Sequence, residues 1–319
     1  MSLARLLAPH WRNRLQSVLL LCAMGLIWAL LGWTLAGPQW MFILLGVGLA
    51  SLLVGLPISS RWILALYQAR PLPQSQAPEL HALVAELGRR ARLPRMPTLY
   101  VVPSRLLNAF TVGSRGDAAV AVTDGLLRTL PWRELTGVLA HEMSHLRHND
   151  MWVMALADLV SRMTHMLSLV GQLLLLVNLP LILFTDLQVP WLAVMLLILA
   201  PSVSALLQLA LSRQREYDAD LGAAGLTGDP QGLASALVHL ERLQGNWLTH
   251  VLLPGRQVPD PSLLRSHPPT EERVRRLLEL AASGEAALWA DAAGAPPDAL
   301  GGLRVAKHPP RWRVLGTWY

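Results

Sequence analysis

Residues 16–37, QSVLLLCAMGLIWALLGWTLAG, hold no charged side chain. As a helix rising about 1.5 Å per residue they reach roughly 33 Å, enough to cross a bilayer core of about 30 Å. A second uncharged run follows at 39–58, and the link around Pro38 leaves room only for a tight hairpin. The first run is too long for a cleaved signal peptide, and another span follows it at once. Two further apolar runs, 166–185 and 188–211, meet at a polar break holding Asp186. Pro180, Pro190 and Pro201 interrupt them, which membrane helices tolerate better than exposed soluble ones. The competing reading of this later pair is a buried helical hairpin in a soluble core. Four transmembrane helices are expected.

The composition agrees. Hydrophobic residues make up 53 % of the chain and charged ones 15 %, against roughly 45–50 % and 25 % in soluble domains. The net charge of +6 does not signal nucleic-acid binding, because the basic residues are scattered or flank apolar runs. Arg5, Arg12 and Arg14 precede the first span, Arg61 and Arg70 follow the second, and Arg213 and Arg215 follow the fourth. The positive-inside rule then places the N-terminus, residues 60–155 and everything after 212 in the cytoplasm. Trp11, Trp40, Trp62 and Trp191 lie near span ends, where interfacial anchors belong.

The soluble part comes in two blocks. The first begins with the linker PLPQSQAP and a helix near 78–92 carrying Leu80, Leu83, Val84 and Leu87 at helical spacing. Short β-rich runs follow at 98–102, 108–112 and 118–123, then a helix after Pro131. The second block, from 212, reads as helical to about 282, and an Ala/Gly/Pro-rich linker and a tail of unassigned role close the chain. The expected divisions are residues 1–60, the N-terminal segment and first hairpin, and 61–155, the first part of the cytoplasmic domain. The second hairpin at 156–211, the second part of the domain at 212–282 and the tail at 283–319 complete them.

Cys22 is the only cysteine and lies inside an apolar run, so a metal site must draw on histidine and carboxylate. His141-Glu142-Met143-Ser144-His145 offers one. Positions i and i+4 share a helix face, so both imidazoles can reach one ion. Glu142 can approach a water there without ligating the ion. Zinc lowers the pKa of such a water to about 7, and a carboxylate can take its proton as it attacks a peptide carbonyl. The helix has Trp132, Leu135, Val138 and Leu139 on one side and Arg133, Glu134, Arg147 and Asn149 elsewhere. It belongs to a soluble domain, not a span.

A hydrolytic zinc needs a third protein ligand and an open position. His148 lies about 10 Å further along the axis, too far for one ion on a continuous helix. Met151 stands where a metzincin would carry histidine. Glu216 in SRQREYDAD is the better candidate, with Asp220 at i+4 able to take the free N–H of a ligand histidine. A helix start laced with Arg–Glu pairs is the competing reading. Asp218 faces elsewhere.

Taken together, these motifs resemble the HtpX-like branch of metallopeptidase family 48, membrane-bound gluzincins, over about residues 15–282. The resemblance rests on two N-terminal spans, Asn108-Ala109-Phe110, VAVTDGLL from Val120 to Leu127, Val138-Leu139-Ala140 before HEMSH, the hydrophobic hairpin and SRQREYDAD. It ends in Ser266-His267-Pro268-Pro269, with Arg273 and Leu277 beyond. It implies His141, His145 and Glu216 as ligands of one zinc ion per chain, Glu142 as general base and Asp220 as the partner of a ligand histidine. It further implies a substrate strand laid along an edge opening at Asn108, with Ala109 and Phe110 beside it. Without the resemblance Asn108 is a turn residue. His267 either caps a helix or stabilises the developing oxyanion, and Arg273 either orients His267 or pairs with a nearby carboxylate. Pro131 replaces the polar cap common at that position.

The expected fold is α+β and mostly helical, a zincin-type metallopeptidase domain with a small sheet plus four transmembrane helices. The expected partners are protein or peptide substrates, in particular misfolded membrane proteins, and the lipid bilayer, with no nucleic acid. The expected location is a bacterial inner membrane. Three rival readings are a prenyl-peptide processing protease, which would carry more spans, an intramembrane protease and a catalytically inactive scaffold. Polar residues around 141–150 speak against an intramembrane motif, and a metal transporter would place ionisable ligands within its spans.

Overall fold

The computed structural model describes residues 3–37, 39, 46, 60–114, 116–184, 191–244 and 269–283. Most of the second apolar run, the break at Asp186, His267 and the tail beyond 283 lie outside these. The chain divides into two compact units, one of residues 1–56 and 152–214 and the other of residues 57–151 and 215–319.

The first unit contains α1 (Leu3–Ala36) and the unit's portions of α6 (Asp150–Val177) and α8 (Trp191–Thr227). The short helix α7 (Leu179–Phe184) follows α6. Among the described residues, α6 and α8 are long and apolar enough to cross a membrane, and the apolar part of α1, Leu15–Leu31, is shorter. Among the described residues two helices thus have the length and composition of a span, where four spans were expected; most of the second expected span, 39–58, lies outside the described residues. The bounds of the two helices also differ from the apolar runs. Helix α6 starts at residue 150 rather than 166 and ends at Val177, three residues before Pro180. Helix α8 starts after Pro190 and runs unbroken past 212 to Thr227.

Pro201 lies within α8. A proline has no N–H, so the carbonyl four residues back, that of Leu197, loses its helical donor. Ser168 Oγ of α6 donates to that carbonyl, and Gln172 Nε2 does so at 3.2 Å. A methyl group at Gly171 would overlap the Leu197 side chain, so glycine permits this approach. Small residues and a hydrogen bond across the pair bind helices where the hydrophobic effect gives no drive. Leu31, Leu197 and Ala200 are buried together, as are Met24, Ala157 and Leu211. Leu169, Leu173, Leu176, Ile198 and Leu206 remain exposed, a surface suited to lipid.

The second unit is built on a four-stranded sheet of β1 (Arg70–Pro71), β2 (Thr98–Val102), β3 (Ala109–Ser114) and β4 (Asp117–Thr123), in the order β1-β2-β4-β3. Strands β2 and β4 are parallel, and the outer two strands pair antiparallel to their neighbours. Side chains alternate across such a sheet. Leu99, Val101, Val120 and Val122 go into the main core with Leu80, Leu83, Val84 and Leu87 of α3 (Pro78–Arg90) and Leu135, Leu139 and Met143 of α5 (Trp132–His148). Val102, Val112, Ala119 and Ala121 cluster with Leu64 of α2 (Ser60–Leu66) and with Tyr67 just beyond it. Between sheet and α5 lies α4 (Asp124–Thr129), capped by Thr123 Oγ1, which accepts from Leu126 N. Helices α9 (Pro230–Gln244) and α10 (Thr270–Ala282) complete the unit. Among the described residues β3 and the two-residue β1 are the edge strands of the sheet.

Candidate metal centre

Pro131 precedes α5 with an extended ψ of 152°, and the helix ends at Asn149, whose left-handed φ of 58° and ψ of 36° turn the chain into α6. Asparagine tolerates that conformation better than most residues. The HExxH residues thus occupy the third and fourth turns of α5, with His141 and His145 on its buried side. Gly222 of α8 lies against the same turns. A methyl group there would overlap Ser144 Oγ, so only glycine allows α8 to approach α5 closely at this point.

That approach brings Glu216 to the histidines. His141 Nε2 lies 3.1 Å from His145 Nε2 and 3.5 Å from Glu216 Oε2, and His145 Nε2 lies 3.7 Å from Glu216 Oε1. Three ligand atoms at about 2.0–2.1 Å from a tetrahedral ion stand about 3.3 Å from one another. The observed separations bracket that value, so the donor set fits zinc.

The other ring nitrogens agree. His141 Nδ1 lies 3.0 Å from Asp220 Oδ1, and His145 Nδ1 lies 2.8 Å from Asp150 Oδ2. A carboxylate accepts only, so each Nδ1 carries its proton and each Nε2 is left with a lone pair for a cation. Burial alone would lower the His141 pKa, but the carboxylates of Asp220 and Glu216 outweigh it and push it up to about 9. The position at His141 Nε2 therefore attracts positive charge, and an ion bound there displaces a proton.

Arg273 of α10 closes the back of the site. Its Nε and Nη2 donate to Asp220 at 2.8 and 2.6 Å, and its Nη1 lies 3.2 Å from Glu216 Oε2. Burial works against this guanidinium, yet the paired carboxylates hold it charged, well above the usual arginine range. Of the two roles open to Arg273 in the sequence, the carboxylate pairing is the one found among the described residues. Glu142 is half-buried and accepts from Thr111 Oγ1 of β3 at 3.2 Å.

The three residues of the Asn108 motif are spread out. Asn108 immediately precedes β3, with its N–H donating to Thr123 Oγ1 at 3.0 Å and its C=O accepting from Thr123 N at 2.9 Å. Ala109 is buried in the main core. Phe110 packs against Tyr67 on the other face of the sheet, ring centroids 5.0 Å apart and tilted by 53°, away from the Thr111 hydroxyl that reaches Glu142. His148 accepts or donates at Ser144 Oγ, 3.3 Å away, and Met151 packs into the core; neither joins the ligand group. Asp218 is buried outside that group.

Thr111, Asp150 and Arg215 escaped the sequence reading. Thr111 could have been found by alternation, since the residue after Phe110 faces the opposite side of the strand. Asp150 sits five residues past His145 beyond a helix break, where no helical periodicity relates the two. Arg215 was read only as a flanking cation, yet its Nη1 donates to Asp150 Oδ1 at 2.9 Å.

The profile of peptidase family M48 matches residues 74–281. A protease HtpX homolog from Paraburkholderia phytofirmans is 32 % identical over 290 residues, 85 % of this chain and 98 % of that protein. Another, from Acaryochloris marina, is 40 % identical over 257 residues, 74 % of this chain and 84 % of that protein. Among solved structures, the crystal structure of S. mikatae Ste24p overlays 85 % of this chain and 67 % of its own, with a TM-score of 0.46 at 20 % identity. The matched segment takes in both motifs that supply the three clustered side chains able to hold a metal, and the relatives align over most of their lengths: the chain belongs to peptidase family M48 and is a membrane-associated metalloprotease.

Proposed function

We propose that the chain is a zinc-dependent endopeptidase of a bacterial inner membrane, cutting misassembled membrane proteins on the cytoplasmic side. The observation that carries this reading is the convergence of two carboxylate-anchored imidazoles and a buried carboxylate beside Glu142. His141, His145 and Glu216 would hold one zinc ion, which supplies Lewis acidity when bound. Glu142 takes the proton of the attacking water and returns one to the leaving amine. Thr111 orients that carboxylate, and Asp220 fixes the His141 ring. His267, outside the described residues, is assigned the oxyanion.

The open edge of β3 offers a place for the substrate backbone. Thr123 N bonds Asn108 O, so Asn108 and Thr123 form a hydrogen-bonded pair, and the pairs alternate along the ladder. Ala109, Thr111 and Gly113 then turn their backbone N–H and C=O groups away from β4. A substrate strand added there lies one residue layer from the Thr111–Glu142 contact. The cytoplasmic side follows from the arginines flanking the apolar runs, and membrane-protein substrates from an active domain tethered to the bilayer.

The test is cleavage of an unfolded model protein by the purified full chain in lipid nanodiscs. Cleavage is expected to cease on treatment with a zinc chelator and return on adding one equivalent of zinc. Cleavage that persists in the metal-depleted chain contradicts the reading.

A further inference from the structure

Each ligand histidine has its Nδ1 against a buried carboxylate, but the two carboxylates are held differently. Asp220 lies one turn beyond Glu216 on the same helix and shares Arg273 with it. Asp150 stands on a different helix from His145, at the first position of α6, and is 1 % exposed. One of its oxygens takes the His145 Nδ1 proton at 2.8 Å and the other takes Arg215 Nη1 at 2.9 Å. A carboxylate this deeply buried is retained only with a charge partner and satisfied lone pairs. Arg215 provides the first, and His145 and Arg215 together provide the second.

The placement in the chain matters as much as the contact. Asp150 comes one residue before the chain leaves the second unit, and Arg215 is the residue at which it returns. Their ion pair thus closes a loop of 65 residues at its neck. His145 is anchored to that neck, while Glu216 is the next residue after Arg215. The same contact therefore sets the orientation of one ligand and the position of the helix that delivers another.

We infer that Asp150, held by Arg215, is a positioning residue for the metal: it fixes the His145 ring with Nε2 toward the ion and locks the segment carrying Glu216 at the required distance. This rests on the zinc reading above. A lost partner of a ligand histidine lowers metal affinity by about 10–100-fold.

The test measures zinc affinity by competition with a chromophoric chelator on the full chain in nanodiscs, with the visible spectrum of the cobalt-substituted protein beside it. Asp150→Ala and the near-isosteric Asp150→Asn are compared with Asp158→Ala, which removes a half-buried carboxylate of the same helix that pairs with Arg162. Expected are a loss of about 10–100-fold in affinity for Asp150→Ala, a smaller loss for Asp150→Asn, a changed cobalt spectrum for both, and no change for Asp158→Ala. Zinc affinity and cobalt spectrum equal to wild type in the folded Asp150 variants overturn the inference, as does an equal loss in Asp158→Ala. A wild-type chain that binds no zinc overturns instead the reading on which it rests.

Discussion

Replacing Glu142 by glutamine is expected to lower kcat for peptide cleavage by about 10²–10⁴-fold, the range that a positioned proton-transfer group contributes. The substitution changes little else. Glutamine has the length of glutamate, and its amide oxygen can still accept from Thr111 Oγ1, which lies 3.2 Å from the carboxylate. Glu142 lies outside the clustered ligand atoms of His141, His145 and Glu216, so zinc content should stay at the wild-type level. KM should change less than kcat, since in the proposed mechanism this residue handles a proton and the edge of β3 takes the substrate backbone. Steady-state kinetics with zinc analysis on the same sample check this. Cleavage within tenfold of wild type would remove Glu142 from the role of base.

The second large effect is expected for Glu216→Ala. The carboxylate is 2 % exposed, and its two oxygens lie 3.5 and 3.7 Å from the two imidazole Nε2 atoms. Without it two nitrogen ligands remain, and zinc affinity should fall by more than the roughly 10–100-fold that loss of a supporting contact costs. The fold should survive. Removing one member of a buried ion pair costs about 3–5 kcal/mol when the other charge is stranded, but Arg273 keeps both its hydrogen bonds to Asp220. The expected result is a chain that inserts and stays helical by circular dichroism but loses its zinc on dialysis against a weak chelator. Zinc retained at one equivalent would mean that another side chain is the third ligand.

Much of this site was legible in the sequence because helical spacing is a strict ruler. His141 and His145 at i and i+4, and Glu216 and Asp220 at i and i+4, fall on common faces whatever the rest of the chain does. The apolar stripe of α3 and the strand at 98–102 were equally plain, since each element shows its period within a few residues. What lay beyond reach were contacts made across a break in periodicity. Asp150 meets His145 across Asn149, whose left-handed conformation ends α5 and breaks the helical period between the two. Gly222 shows nothing locally; its need appears only when Ser144 of another helix is laid against it. The helix bounds around the membrane differ for a related reason. Hydropathy marks where a helix is apolar, whereas hydrogen bonding marks where it ends: α6 begins well before its apolar run and ends within it, and α8 continues well past its own.

X-ray absorption at the zinc edge of the full-length protein in nanodiscs bears most directly on the convergence of these three side chains. One zinc per chain is expected, with two imidazoles and only oxygen donors besides them in its coordination shell, at about 2.0–2.2 Å, and with an oxygen lost in Glu216→Ala. A shell that contains sulfur, that holds fewer than two imidazoles, or that is unchanged by Glu216→Ala would contradict the account.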